Sequence, residues 1–286
     1  MHQKSRLFQY SGQTETTLTI LLGEERTGNQ NSLNAVLSED ADGDGDLDLY
    51  LGHDGRDVIP PDPAELDVLL LNQGDGTFED ISDRLEETWR HGYTQVVSLV
   101  DVNEDGTTDI YVTNHRHSLE GNRLLQGVDG AYVDAEELGL NVALESMGTG
   151  LGDINNDGVM DFLLSGEGEM KLLESLPDGT WHETTRTRGL TLDPESDQVV
   201  AWGNHLADLD NDGDLDAWVV FGHANKHIQG RNPDEQPDGL WLREGSEFES
   251  VGPTWGVDHT GSSRGLVVFD QNGDGWLDGG TTRGEA

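Results

Sequence analysis

Five short stretches of this sequence gather oxygen-bearing side chains at alternating positions, in the pattern Asp-x-Asp/Asn-x-Asp-Gly-x-x-Asp. They contain Asp40, Asp42, Asp44 and Asp48; Asp101, Asn103, Asp105 and Asp109; Asp153, Asn155, Asp157 and Asp161; Asp208, Asp210, Asp212 and Asp216; and Asp270, Asn272, Asp274 and Asp278. A hard cation such as Ca²⁺ is held by about six to eight oxygens. Side chains at loop positions one, three, five and nine, with a carbonyl at seven, supply such a set, and Gly at six permits the sharp reversal. An EF-hand loop needs Glu at its twelfth position and a helix on either side. Here that position is Leu51, Val112, Leu164, Val219 and Thr281, inside strand-like runs, so the EF-hand is rejected. Aspartates also make Asx turns with no metal present. Crowding three or four carboxylates into nine residues without a cation is electrostatically costly, so the spacing predicts one structural Ca²⁺ in each of the five loops. Each loop encloses its own ion at the same place in a repeat, which makes the metals staples whose binding is coupled to folding.

Such loops need strands to hold them. A short apolar burst enters each loop, as in Val97 to Val100, and another leaves it, as in Ile110 to Thr113 or Phe162 to Leu164. A second pair of bursts follows around an Asp-Gly turn: Val68 to Leu71 and Phe78 to Ile81 around Gly74 to Gly76, Arg123 to Leu125 and Tyr132 to Val133 around Asp129-Gly130, and Lys171 to Leu173 and Trp181 around Asp178-Gly179. The unit is four antiparallel strands. Successive loops begin 52 to 62 residues apart with no helical period between them. Repetition of such units is the signature of propeller blades, so the expected fold is an all-β β-propeller of four-stranded antiparallel blades with five repeats. Residues 1–286 read as a single domain with Ca²⁺ loops at 40–48, 101–109, 153–161, 208–216 and 270–278.

The runs 40–48, 153–161 and 208–216, each followed by a hydrophobic strand, resemble the FG-GAP/VCBS repeats of Ca²⁺-binding β-propellers, a design shared by integrin α-subunits. The runs Asn72 to Ser82 and Trp202 to His223 are most similar to the cartilage acidic protein family. That resemblance implies a secreted protein with more blades than five, as in a seven-bladed propeller, followed by an ASPIC/UnbV domain. Nothing resembling that domain follows Asp278. Arg6 to Gln9 and Thr17 to Leu21 fit the third and fourth strands of a blade, whereas Gly279 to Gly284 has no apolar residue and reads as a poor strand. The two ends are complementary in phase, so the expectation is a larger propeller truncated at its C-terminus, with closure as five blades by N- and C-terminal strands sharing one blade as the alternative.

Charge restricts the partners. Sixteen Lys plus Arg against 57 Asp plus Glu give a net charge of −41, a field that repels nucleic acid and anionic membranes. Only 33% of residues are hydrophobic and 38 are Gly, yet the apolar residues fall in strand-length bursts, which indicates a β-rich globular chain and not a disordered acidic tail. With no Cys, disulfides, thiolate nucleophiles and Cys-ligated zinc are excluded. Leu18 to Leu22 is too short an apolar burst for a signal sequence or a membrane span. Loops of this type commonly need extracellular Ca²⁺ levels, so the expected location is extracellular, cell-surface or periplasmic.

Topology then separates two rims. The metal loop and the Asp-Gly turn occupy one, and the connections between strands two and three and between successive units occupy the other. Seven of ten histidines fall on the metal-free rim, among them His53, His91, His115, His223 and His227, with Arg116 beside them. These six residues are the candidate ligand-binding set, in the company of Trp89, Tyr93, Trp255 and Arg264. Such a mixture suits an extracellular carbohydrate or protein ligand bound by a monomeric adhesion module. The alternative is a carbohydrate-active enzyme, lyase-like, in which His91 or His115 is the base, Tyr93 the acid and Arg116 the neutraliser of a uronate. No Gly-x-Ser-x-Gly, His-Glu-x-x-His, phosphate-cradling or dinucleotide motif is present. The counter-reading is that His53, His115 and His223 mark a repeat phase and cap strands.

Overall fold

The computed structural model describes residues 7–11, 14–18, 33–53, 66–85, 90, 92–115, 121–192, 199–222, 236–257 and 261–283. Its first elements, β1 (Leu7–Ser11) and β2 (Thr14–Leu18), pair as an antiparallel hairpin. Four antiparallel meanders follow. The first sheet is β3 (Leu33–Glu39), β4 (Asp48–His53), β5 (Val68–Asn72) and β6 (Phe78–Asp80). The second is β7 (Thr94–Val100), β8 (Asp109–Asn114), β9 (Arg123–Val128) and β10 (Ala131–Asp134). The third is β11 (Ser146–Gly152), β12 (Asp161–Gly166), β13 (Met170–Ser175) and β14 (Trp181–Glu183). The fourth is β15 (Ala201–Ala207), β16 (Asp216–Phe221), β17 (Gly239–Glu244) and β18 (Glu247–Ser250). A last hairpin, β19 (Ser263–Phe269) and β20 (Asp278–Arg283), carries the fifth acidic loop. The fold is therefore all-β, with repeated four-stranded antiparallel sheets.

Period-two alternation with both faces covered explains the apolar run in the second strand of each four-stranded sheet, at Leu49–Leu51, Ile110–Val112, Phe162–Leu164 and Ala217–Phe221. Along β12, Phe162 and Leu164 enter a core between the second and third sheets, while Leu163 points the other way into a core between the third and fourth. In β8, Tyr111 joins the former core, and Ile110 and Val112 face a core against the first sheet. A strand buried on both faces has no polar side to show. Phe162 meets Tyr111 edge-on at a ring separation of 4.8 Å and Trp181 at 6.2 Å, while the Tyr111 hydroxyl donates to the Leu140 carbonyl at 2.9 Å. Full burial of one such side chain contributes about 1.5–3 kcal/mol.

The first strands do the joining. β3 packs against β7, β7 against β11, β11 against β15 and β15 against β19. Each loop-bearing hairpin has a register shift where its first strand begins, at Leu33/Ala35, Thr94/Val96, Ser146/Gly148, Ala201/Asn204 and Ser263/Leu266. The last hairpin is thus the same unit as the others. This corrects the reading of Gly279 to Gly284, because Gly279 to Arg283 lie in a strand that pairs with β19 on either side of the register shift. Its missing side chain has a packing cause: a Cβ on Gly279 would lie 1.9 Å from the Trp218 indole of the fourth sheet. At the other end, the second strand begins at Thr14 and not at Thr17.

Candidate metal centres

In every acidic loop the position-one carboxylate turns inward and accepts backbone N–H bonds. Asp101 takes Asp105 N–H at 3.1 Å and Gly106 N–H at 2.8 Å, Asp153 takes those of Asp157 and Gly158, and Asp208 those of Asp212 and Gly213. Asp40 and Asp270 use Gly43 and Gly45, and Gly273 and Gly275. Position three accepts the N–H of position five, as from Asp44 to Asp42 and from Asp105 to Asn103, and position five accepts that of position seven. The chain winds this way only with left-handed residues. Position six is Gly throughout, with φ between 83° and 94°. Position four is left-handed too, and there Glu104, Asn156 and Asn211 carry φ of 56°, 59° and 62°.

The position-nine aspartate has structural partners of its own. Asp48, Asp109, Asp161 and Asp216 open the second strand of their sheets and are buried. One oxygen accepts the N–H of position two, from Ala41, Val102, Ile154 and Leu209. The other reaches the third strand or its turn, accepting from Asn72, Gly127, Ser175 and Arg243. These carboxylates tie loop, second strand and third strand together before any cation is considered. Burial pushes Asp109 and Asp161 above the usual carboxylate range. Asp216 is pushed up to about 6, by burial first and then by repulsion from Asp210 and Asp212, against its hydrogen bonds.

Carboxylate oxygens of Asp40, Asp42 and Asp48 lie within 4.8 Å of one another, and so do those of Asp208, Asp210 and Asp216. Positions one, three and nine are thereby brought together where all three are Asp, and this donor set fits a hard divalent cation. Asp44 and Asp212 are not part of these groups. In the loops with Asn at position three, the amide of Asn103 donates to Asp105 at 2.8 Å and that of Asn155 to Asp157 at 3.0 Å. Turns between third and fourth strands sit beside the loops: Ser175 Oγ donates to Asp157, and a Cβ on Gly74 would lie 2.7 Å from Asp46.

At the opposite strand ends, His53 is buried at 4% exposure and its N–H donates to Asp67. His115 is half-buried, its N–H donating to the Tyr93 carbonyl at 2.9 Å. Tyr93 is buried. His91, Arg116, His223 and His227, with Trp89, lie outside the described residues. Trp255 is exposed, whereas Arg264 stacks on Trp202 at 4.2 Å.

Sequence reasoning missed a recurring clamp on this side. Asp67 accepts His53 N–H at the end of β4 and the Thr94 hydroxyl from the next sheet. Asp238 does the same with Phe221 N–H and Ser263 Oγ. Asn122 accepts Asn114 N–H and donates to Ser146 Oγ. Each sits immediately before the third strand of its sheet, so an Asx in that phase of the repeat was the available signal.

Repeated sheets, each carrying an Asx-rich loop between its first two strands, define an all-β repeat protein with cation-type loops. Residues 40–112, 101–164 and 153–219 match the FG-GAP-like repeat, together more than half of the chain, and the chain belongs to that family. No curated protein matches it. Among solved structures it is similar to an Agrocybe aegerita lectin described for specific recognition of non-reducing terminal N-acetylglucosamine, at 16% identity and a TM-score of 0.43, covering 76% of this chain and 51% of that one. It is also similar to a V. cholerae biofilm matrix protein, at 13% identity and a TM-score of 0.42, covering 86% of this chain and 34% of that one. The chain spans about half the length of the first and a third of the second.

Proposed function

We propose that this chain is a calcium-stabilised β-propeller domain, spanning 1–286, that binds an extracellular carbohydrate or protein ligand. The observation that carries the reading is the convergence of carboxylates from positions one, three and nine within 4.8 Å, at the same turn of two separate sheets. Packing of successive first strands against one another supports radial blades, because the innermost strands of a propeller meet in that way. Calcium at the five loops would fasten the hairpins and hold the opposite rim rigid, and function concentrates on loops carried by a rigid scaffold. The particular likeness to the cartilage acidic protein family belongs to this reading, as does an extracellular or periplasmic location.

The test is ligand capture on a glycan array and on immobilised matrix proteins, in calcium, with two variant sets. Replacing His115, Arg116 and His223 by Ala should abolish capture. Replacing Asp75, Asp129 and Asp178 on the metal rim should leave it intact. Equal loss in both sets, or loss only in the second, would place the binding surface on the metal rim and refute the proposal.

A further inference from the structure

Between the second and third sheets, at the strand ends away from the acidic loops, three ligand-type side chains meet. His115 follows the end of β8, Glu145 precedes β11 and Glu167 follows β12. A His115 ring nitrogen and one carboxylate oxygen from each glutamate lie within 4.8 Å of one another. The three come from separate backbone segments, and each segment is tethered. Asn122 accepts the N–H of Asn114, next to His115, at 2.9 Å, and donates to the hydroxyl of Ser146, next to Glu145, at 2.7 Å. Glu167 N–H donates to the Glu145 carbonyl at 3.1 Å. That approach depends on Gly166, where a Cβ would lie 2.6 Å from the same carbonyl. A second observation comes from the imidazole itself: His115 Nδ1 is buried and has no hydrogen-bond partner. A buried polar atom without a partner is costly and rare in native structures.

We propose that His115, Glu145 and Glu167 bind a first-row divalent transition metal, for which Zn²⁺ is the probe. One imidazole and two carboxylates form a nitrogen-and-oxygen set suited to such ions and unlike the all-oxygen loops. Ligand bonds of about 2.0–2.2 Å in a tetrahedral arrangement put donors about 3.3–3.6 Å apart, so the set closes on an ion by a contraction of up to about 1.5 Å. Glu167 is exposed. Three protein ligands leave a coordination position for water or for an oxygen of a bound molecule. The site stands apart from the calcium loops and does not rest on their occupancy.

Calorimetric titration of Zn²⁺ into the full chain, with the acidic loops first saturated by excess Ca²⁺, tests the assignment. The wild type should take up one Zn²⁺ at this site, and affinity should fall more than about 10-fold in both His115→Ala and Glu167→Ala, since even outer-shell losses typically cost that much. Glu167→Ala, at an exposed position, should keep the wild-type melting curve and so stands if His115→Ala fails to fold. Co²⁺ substitution should give visible absorption bands in the wild type that disappear in His115→Ala. Absence of Zn²⁺ binding in the wild type, or unchanged Zn²⁺ affinity and Co²⁺ spectrum in the variants, would overturn the proposal.

Discussion

Asp67 allows a sharp test of the clamp between the first two sheets. Its side chain is fully buried, one oxygen accepting His53 N–H at 2.7 Å and the other accepting the Tyr50 hydroxyl at 2.9 Å and the Thr94 hydroxyl at 2.7 Å. Burial pushes its pKa from 3.8 up to about 7, against those hydrogen bonds and the nearby Arg90, which pull it down. A carboxyl whose pKa is raised on folding makes the folded state bind more protons than the unfolded state between the two values. The stability it contributes is fully present below about pH 4 and is lost as pH rises through about 7. The slope is about 1.4 kcal/mol per pH unit, or about 4 kcal/mol across the window. Asn occupies the equivalent place at Asn122, so Asp67→Asn removes the titration and keeps an acceptor for His53. Urea unfolding of wild type and variant in excess Ca²⁺, from pH 4.5 to 8, isolates the effect as a difference. Stability of the wild type relative to Asp67→Asn should decline steadily with pH and level off above 7. A difference independent of pH, or one that grows with pH, would refute the argument from burial.

Two further outcomes follow from the packing and the loops. Phe162→Ala, which empties a site lined by Tyr111 and Trp181 between two sheets, should lower unfolding free energy by about 3–5 kcal/mol in denaturant melts, and a loss below about 1 kcal/mol would contradict the shared-core description. In calcium-free buffer, Asp161→Ala should destabilise by about 1–3 kcal/mol for each stranded N–H, at Ile154 and Ser175, while Asp157→Ala, at an exposed position, should change stability far less. Equal effects in the melts of those two variants would show that position nine has no role apart from metal.

Local chemistry was legible in the sequence, and tertiary chemistry was not. The acidic loops and their flanking strands could be read because the carboxylates and amides that turn the loop lie within nine residues, and Gly at position six marks the left-handed turn. Position four is equally left-handed, but Glu104, Asn156 and Asn211 share no composition that announces it. β20 looked like a poor strand because it has no apolar residue, and the reason for Gly279 is an indole contributed from sixty-one residues away in sequence, at Trp218. Position nine was read as one ligand among four, whereas its buried oxygens accept N–H bonds from loop and third strand. His53 looked like His115 in the repeat phase, yet one ring is packed inside at 4% exposure and the other stands half-buried beside two glutamates. Pattern places a residue at a strand end; only the neighbouring sheet decides which way that end is covered.

The proposal that the loops hold structural calcium is tested most directly by thermal unfolding with and without a chelator, at fixed pH and protein concentration. A cation present at about 100 times its dissociation constant stabilises by about 2.7 kcal/mol per site, and each kcal/mol moves the midpoint of a domain this large by about 2–4 degrees. Several filled loops therefore predict a fall of more than about ten degrees on chelation, restored by adding Ca²⁺. An identical melting curve in chelator and in calcium would contradict the account, leaving the aspartates as turn formers alone.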